Sequence, residues 1–230
     1  VTGGAGFIGS HLVDKLLKNN FKVVVIDNFK TGTIKNLSQH KKNKNLKIIK
    51  KDISKRGKID KHFKNINYVF HIAGLADIVP SIERPEEYYD TNISGTFNVI
   101  RASQKNKIKK FIYAASASCY GIPTKYPTSE NSEIKTQYPY ALSKWIGEQL
   151  VLHWHKVYKF PAISMRFFNV YGKRSRTSGA YGAMFGVFLA QKLKNYPLTV
   201  VGDGKQTRDF IHISDLVEAI YKAAKSKKMA

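Results

Sequence analysis

The opening run Val1-Thr2-Gly3-Gly4-Ala5-Gly6-Phe7-Ile8-Gly9 constrains the fold more than any other part of the chain. Gly4, Gly6 and Gly9 satisfy G-x-G-x-x-G, and Gly3, Gly6 and Gly9 also stand three apart. Such glycines allow a tight strand-to-helix turn, let backbone approach a pyrophosphate, and aim the helix N-terminus at the phosphates. Alone the motif is weak, and its surroundings strengthen it. A periodic apolar run from Ser10 to Lys18, with Leu12, Val13, Leu16 and Leu17 on one side, predicts a helix. A β-branched strand over Lys22 to Ile26 follows and ends at Asp27. Asp27 lies 18 residues beyond Gly9, near the roughly 20-residue offset of the acid that accepts hydrogen bonds from the adenosine ribose. A carboxylate there repels a 2′-phosphate, so NAD is expected over NADP; a turn or helix-capping aspartate is the plainer alternative. Gly3, Gly6, Phe7, Ile8 and Gly9 in the turn, and Asp27 and Asn28 after the strand, are therefore candidate cofactor contacts. Asp52 and Ile53, after the strand KIIKKD, would border the adenine, although a simple turn residue is as good a reading of Asp52. Ala73, at the end of YVFHIA, completes the set.

The alternation continues. Strands are predicted at Leu46 to Lys50, Tyr68 to Ile72, Lys110 to Ala114 and Ala162 to Phe167, and helices at Ile59 to Phe63, Glu86 to Lys105 and Pro139 to Tyr158. Near-continuous apolar strands such as VVVI and YVFHIA require cover on both faces, which a parallel sheet between helices supplies. The expected fold class is α/β, a doubly wound parallel sheet of Rossmann type, with a NAD-binding domain over residues 1–168. After Tyr171 come a Gly/Ser/Arg loop, a helix near Ala183 to Leu193, a short strand around Leu198 to Val201, and a final strand and helix from Arg208. Residues 169–230 thus read as a smaller, partial substrate-binding lobe whose last strand and helix return to the main domain. The chain does not open on methionine, and a strand of about five residues usually precedes such a glycine turn. The sequence reads as a piece whose first strand is cut short.

Pro139-Tyr140-Ala141-Leu142-Ser143-Lys144 opens the longest helix, with Pro139 suited to the first turn. Tyr140 and Lys144 are four apart and share a face. Lowering a phenol from about 10 to about 7 takes roughly 4 kcal/mol of preferential phenolate stabilisation. A neighbouring ammonium and the positive nicotinamide ring carry charge of the right sign. The phenolate would then act as general base for a substrate hydroxyl whose carbon loses hydride. Ser116, in FIYAASASCYG, lies at the carboxyl end of a strand, where the ligand crevice of such sheets opens. It would orient the hydroxyl or relay its proton; Ser118 competes for that role, and a turn serine is the plain reading of both.

Several classes are set aside. No apolar run approaches the roughly 20 residues of a membrane span, and the given sequence does not open on a charged n-region followed by an apolar h-region. The single cysteine, Cys119, allows neither an intramolecular disulfide nor a multi-cysteine metal site. A cytoplasmic protein without metal is expected. The net charge of +23 is densest from Lys41 to Lys64, where Ile, Leu and Phe interrupt the lysines at strand and helix spacing. That pattern favours a solvated basic face over a specific nucleic-acid or membrane site, and an anionic substrate suits either.

The ordered motifs TGGAGFIGSHL, VIDNFKTG, VFHIAG, EEYYDTNISGT, the serine segment, YPYALSK, RFFNVYG and GDGKQTRDFIHISDL span essentially the whole chain. It resembles the extended short-chain dehydrogenase/reductases, specifically the NAD-dependent nucleotide-sugar epimerase and dehydratase family. The resemblance implies that Ser116, Tyr140 and Lys144 are catalytic, and that Lys144 also holds the nicotinamide ribose. It implies Asn92 beside the cofactor, where a purely structural role is equally open. It also implies Asn169 and Arg208 on the diphosphate of a nucleotide sugar, an arginine fork suiting phosphate. A salt bridge to Asp203 or Asp209 is the alternative for Arg208. A homodimer through the helices Glu86 to Lys105 and Pro139 to Tyr158 is expected on the same ground. Ala117 and Ser118 stand where the 4,6-dehydratases carry an Asp-Glu pair and the UDP-glucuronate decarboxylases a Glu. That departure narrows the reaction to C4 epimerisation of a UDP-hexose, UDP-N-acetylhexosamine or UDP-uronic acid. EEYYDTNISGT resembles the UDP-galactose 4-epimerases, though Ala76 replaces a lysine of a common bacterial form. RFFNVYG with SGAYGAM resembles the epimerases of the other two sugar classes. The rival readings are another nucleotide-sugar enzyme of this fold, and a non-catalytic NAD-sensing or nucleic-acid-binding protein.

Overall fold

A computed structural model describes residues 1–175, 184–200 and 202–229. Helix α1 (Phe7–Lys18) starts directly at the glycine turn, three residues before its apolar period begins, and buries Leu12, Val13, Leu16 and Leu17. Strand β1 (Val23–Asp27) follows and pairs in parallel with β2 (Leu46–Lys50). Strands β3 (Tyr68–His71) and β4 (Lys110–Ser116) are separated by α2 (Ile78–Glu83), α3 (Pro85–Tyr88) and α4 (Gly95–Lys105). Then come α5 (Pro139–Tyr158), β5 (Ala162–Phe167), β6 (Asn169–Tyr171), α6 (Met184–Leu193), β7 (Phe210–His212) and α7 (Ile213–Lys225).

Thr2 joins the two halves of the sheet, bridging Ile26 of β1 on one side and His71 of β3 on the other. Its amide donates to Phe70 O at 3.0 Å, and the Gly3 amide donates to Ile26 O at 2.9 Å. The parallel order is therefore β2-β1-Thr2-β3-β4-β5. The glycine turn leaves from the centre, where strand order reverses, the position at which open α/β sheets hold ligands. Successive strand residues enter opposite cores: Val25, Phe70 and Ile112 pack with α1 and α7, while Ile26, Val69, Phe111 and Tyr113 pack with α4 and α5. This two-sided burial explains why the strands lack polar alternation. Lys47 and Lys50 stand exposed on the outermost strand, β2, charges that discourage edge-to-edge pairing.

The helix expected over Glu86 to Lys105 forms from Pro85, but Tyr89–Ser94 is π-helical between α3 and α4. The apolar period does not register that widened turn, a form common at functional sites. Asp60–Phe63 is a 3₁₀ turn where a helix was expected, and the 3₁₀ segment Ile34–His40 and α2 were not anticipated. The strand expected at Leu198 to Val201 does not form over residues 198–200. There the Thr199 amide and hydroxyl bind the side-chain amide of Gln191, at 3.3 and 2.7 Å, instead of a neighbouring strand. Val201, Ala183 and most of the Gly/Ser/Arg loop with SGAYGAM lie outside the described residues. β6 and β7 pair in parallel, and Ile213, Leu216, Val217 and Ile220 of α7 return to the α1 core. Among the described residues, no helix is long and apolar enough to cross a membrane, and no His/Cys/Asp/Glu cluster could hold a metal ion.

Candidate active site

The glycines are required by close approach. Gly3 has φ +69°, and a Cβ there would lie 2.7 Å from the backbone of Ala73; a Cβ on Gly9 would run into the carbonyl oxygen of Gly3. Gly6 differs, since its Cβ would meet only Gly3 O, at 3.3 Å, which leaves room for a ligand against the turn. No side chain caps α1 and its first turn carries no acid, so the positive end of the helix faces the same space. Asp27 is 8% exposed. Its Oδ2 accepts the Ala5 amide at 2.9 Å and its Oδ1 the Phe29 amide at 2.8 Å. The acid thus shapes the turn, and a carboxylate's roughly four acceptor positions leave capacity for ribose hydroxyls.

Beyond it, Asn28 Nδ2 donates to Asp52 Oδ2 at 3.3 Å, and Asp52 Oδ1 accepts the Ser54 amide at 2.9 Å. Asp52 is thus a turn former at the rim of the same crevice. Ile53 is a core residue, 5% exposed, with its side chain against Gly95. Asn98, which no motif singled out, fixes this rim by donating to the carbonyls of Ile53 and Ser54 at 2.9 and 3.1 Å.

Across the crevice, Tyr140 Oη donates to Ser116 Oγ at 3.0 Å, and Ser116 Oγ lies 2.8 Å from Ser118 Oγ. Both serines that competed for one role are therefore present. Lys144, one turn along α5, is buried with its ammonium 4.5 Å from the centre of the Tyr113 ring. Burial lowers its pKa to about 7, opposed by the Glu148 carboxylate. Burial also pushes the Tyr140 phenol above its ordinary value, against the hydrogen bonds of Ser116 and Ser118. The phenol is expected to be drawn down by the lysine and the nicotinamide ring together, and the protein without that ring does not lower it. The phenol stays protonated until more positive charge arrives.

Asn92 sits in the π-helical segment, 1% exposed. It exchanges two hydrogen bonds with the Leu75 backbone, at 2.9 and 3.0 Å, and donates to Ser143 Oγ at 2.9 Å. It therefore clamps the loop after β3 to α5 directly beside Lys144. Asn169 leaves the same sheet edge, two residues after Phe167, the register partner of Ser116. Its Nδ2 donates to Asp209 O at 2.9 Å. Arg208 is exposed and donates to Thr207 O at 2.8 Å. Among the described residues it pairs with neither Asp203 nor Asp209, and no hydrogen bond links it to Ser116, Tyr140 or Lys144.

Residues 1–229 match the NAD dependent epimerase/dehydratase family. The chain belongs to that family. A putative UDP-glucose 4-epimerase of Methanocaldococcus jannaschii is 37% identical over 220 residues, 95% of this chain and 70% of that protein. A UDP-N-acetyl-alpha-D-glucosaminuronate decarboxylase of Bacillus cytotoxicus is 35% identical, over 99% of this chain and 71% of its own length. Among solved structures, the UDP-N-acetylglucosamine 4-epimerase of Methanobrevibacter ruminantium, in complex with UDP-N-acetylmuramic acid, superposes with a TM-score of 0.94. It is 35% identical, over 99% of this chain and 73% of that one. The family is NAD-dependent, and the open face at Gly6, the uncapped α1 and the buried Asp27 fit that cofactor.

Two buried networks hold this family member's site and carry no motif signature. In the first, Thr96 Oγ1 gives its one proton to Asn92 O at 2.6 Å, so it must accept from His71 Nε2, 2.9 Å away. His71 Nδ1 then accepts from Thr2 Oγ1 at 2.7 Å. The imidazole is a neutral Nε2–H tautomer, its pKa held to about 3 by burial and by the charge of Lys144. It ties the start of the sheet to the π-helical turn that carries Asn92.

In the second, Glu148, one turn beyond Lys144 and 4% exposed, accepts Arg166 Nε at 3.0 and 3.2 Å and Ser164 Oγ at 3.0 Å. Arg166 also donates to Tyr120 Oη at 2.6 Å and Glu130 O at 3.0 Å. The pair pins the segment between Ser116 and Tyr140. Breaking a buried pair leaves an uncompensated charge, so Arg166→Met should cost about 3–5 kcal/mol in urea unfolding. Glu148→Met added to it should recover much of that loss; a milder single variant would show that the pair is well solvated.

Lys144 allows a test with a definite sign. Its folded pKa lies below that of the unfolded chain, so the unfolded state binds more protons between about pH 7 and 10 and stability rises with pH there. Lys144→Met should therefore raise the unfolding midpoint more at pH 6 than at pH 9 in the ligand-free protein. Equal shifts at both values would show that the ammonium is not desolvated.

Proposed function

We propose that this protein inverts C4 of a UDP-sugar by transient oxidation to the 4-keto sugar, recycling its NAD in each turnover. The observation that carries the reading is the 3.0 Å contact of Tyr140 Oη with Ser116 Oγ beside the buried Lys144, with Ala117 and Ser118 following Ser116. A decarboxylase relative shares the overall likeness, so the fold does not separate the reactions. The absence of a carboxylate at positions 117 and 118 favours epimerisation, because elimination needs a base beyond the tyrosine. The relatives named as 4-epimerases point the same way.

In this reading Gly3, Gly6, Phe7, Ile8 and Gly9 cradle the pyrophosphate and Asp27 takes the adenosine ribose. Asn28, Asp52 and Ile53 border the adenine, Ala73 and Asn92 shape the nicotinamide side, and Lys144 holds its ribose. The chemistry NAD supplies when bound is reversible hydride acceptance from the sugar carbon. Tyr140 removes the C4 hydroxyl proton and returns it to the same oxygen after the keto sugar has turned over, with Ser116 orienting that hydroxyl. Asn169 and Arg208 bind the diphosphate, residues 1–168 forming the cofactor domain and 169–230 the start of the sugar lobe. A cytoplasmic homodimer goes with this reading; Tyr89, Val157 and Tyr158 are exposed on the helical runs that would pair, and light scattering tests it.

The activity test is incubation with NAD and UDP-glucose, UDP-N-acetylglucosamine or UDP-glucuronate, with chromatographic resolution of the C4 epimers. An epimer from one of them supports the proposal. Release of carbon dioxide or loss of water from the sugar, or no product at all, contradicts it.

A further inference from the structure

The Ser118 hydroxyl completes a directed chain. Ser116 Oγ accepts the Tyr140 hydroxyl at 3.0 Å and the Ser118 amide at 3.2 Å. Those two donors fill its acceptor positions, so its own proton must go to Ser118 Oγ at 2.8 Å. The chain therefore runs Tyr140 to Ser116 to Ser118 while the phenol is protonated. Loss of the phenol proton to water reverses it: Ser116 turns its proton to the phenolate, and Ser118 is then free to donate to Ser116. A hydroxyl that itself accepts a hydrogen bond is the stronger donor.

We propose that Ser118 is a positioning residue for the Tyr140–Ser116 pair, the hydroxyl that backs Ser116 when it holds the phenolate. The inference rests on the reading of Tyr140 as the base. Other groups around the phenol act differently. Asp77, ahead of α2, opposes the anion, whereas Ser116 and Ser118 favour it, and the Cys119 thiol, pushed up to about 11 by burial, stays uncharged beside it. The Tyr88 ring of α3 meets Tyr140 edge-on at 6.4 Å, Tyr113 of β4 lies behind Lys144, and Lys144 is the one cation on the same helix face. With Asp77 against it, the phenolate depends on its hydroxyl donors, Ser116 and, behind it, Ser118.

The test compares wild type, Ser118→Ala and Ser118→Thr in kcat/KM against pH, with the UDP-sugar that is turned over. In parallel, the tyrosinate absorbance that Tyr140→Phe removes is titrated in each protein. Hydrogen bonds to a charged group are strong enough that Ser118→Ala should move the acidic limb up by about one pH unit, an about tenfold loss below the limb. The absorbance titration should shift equally, and Ser118→Thr should restore both. An unshifted limb and titration overturn the proposal, even if turnover falls, because a merely structural serine would lower the plateau without moving the limb. If no UDP-sugar is turned over, the proposed reaction fails, while the absorbance titration still decides the role of Ser118.

Discussion

Tyr140→Phe should lower turnover by about 1,000-fold while NAD affinity and the unfolding midpoint stay near those of wild type. The variant removes one hydroxyl, and the Ser116–Ser118 contact at 2.8 Å survives it. Half-buried and protonated in the protein alone, the Tyr140 hydroxyl is engaged only with the Ser116 and Ser118 pair among the described residues. Its loss should therefore register in chemistry and not in folding. Single-turnover rates and cofactor titration measure the two quantities separately. Turnover within tenfold of wild type would move the base to another residue; lost NAD binding would make Tyr140 a structural element.

The second large effect is expected at the opposite wall. Gly9→Ala places a methyl group against the carbonyl oxygen of Gly3, which is backbone and is fixed in turn by the fit of Gly3 against Ala73. Overpacking of this kind costs about 1–3 kcal/mol, and relief by displacing the turn would spoil the surface offered to a pyrophosphate. NAD affinity should fall by about 10- to 100-fold and the unfolding midpoint should drop. Gly57→Ala is the control: it also has positive φ but meets nothing within 4 Å, so it should bear only the cost of strained backbone. Equal NAD affinities for the two variants would show that the turn is not the cofactor seat.

Most of the sheet and one wall of the site could be read from the chain. Buried parallel strands leave long apolar runs, and the glycine turn, Asp27 and the Tyr140–Lys144 spacing are local patterns. What escaped the reading is made by pairs distant in sequence or by backbone form. His71 joins Thr2 to Thr96, and Glu148 joins Arg166, which reaches Tyr120 and Glu130. Neither network has a spacing to detect, though a histidine inside an apolar strand and a glutamate one turn past Lys144 were visible hints. The π-helical turn at Tyr89–Ser94 shifts register without altering composition, so one continuous helix was the natural reading. Leu198 to Val200 had the apolar character of a strand, but their backbone found a glutamine side chain instead of a neighbouring strand. The spacing of Tyr140 and Lys144 shows proximity and not burial, and in the protein without cofactor burial acts against both charges.

In the proposed reaction a sugar C–H bond at C4 is broken and remade with the same hydrogen. The direct test is a UDP-sugar carrying deuterium at C4, turned over in ordinary water, with the epimers separated and weighed by mass spectrometry. The C4 epimer should keep the label, and no reduced cofactor should accumulate. Loss of the label to solvent, or reduced cofactor in step with product, would contradict that reaction.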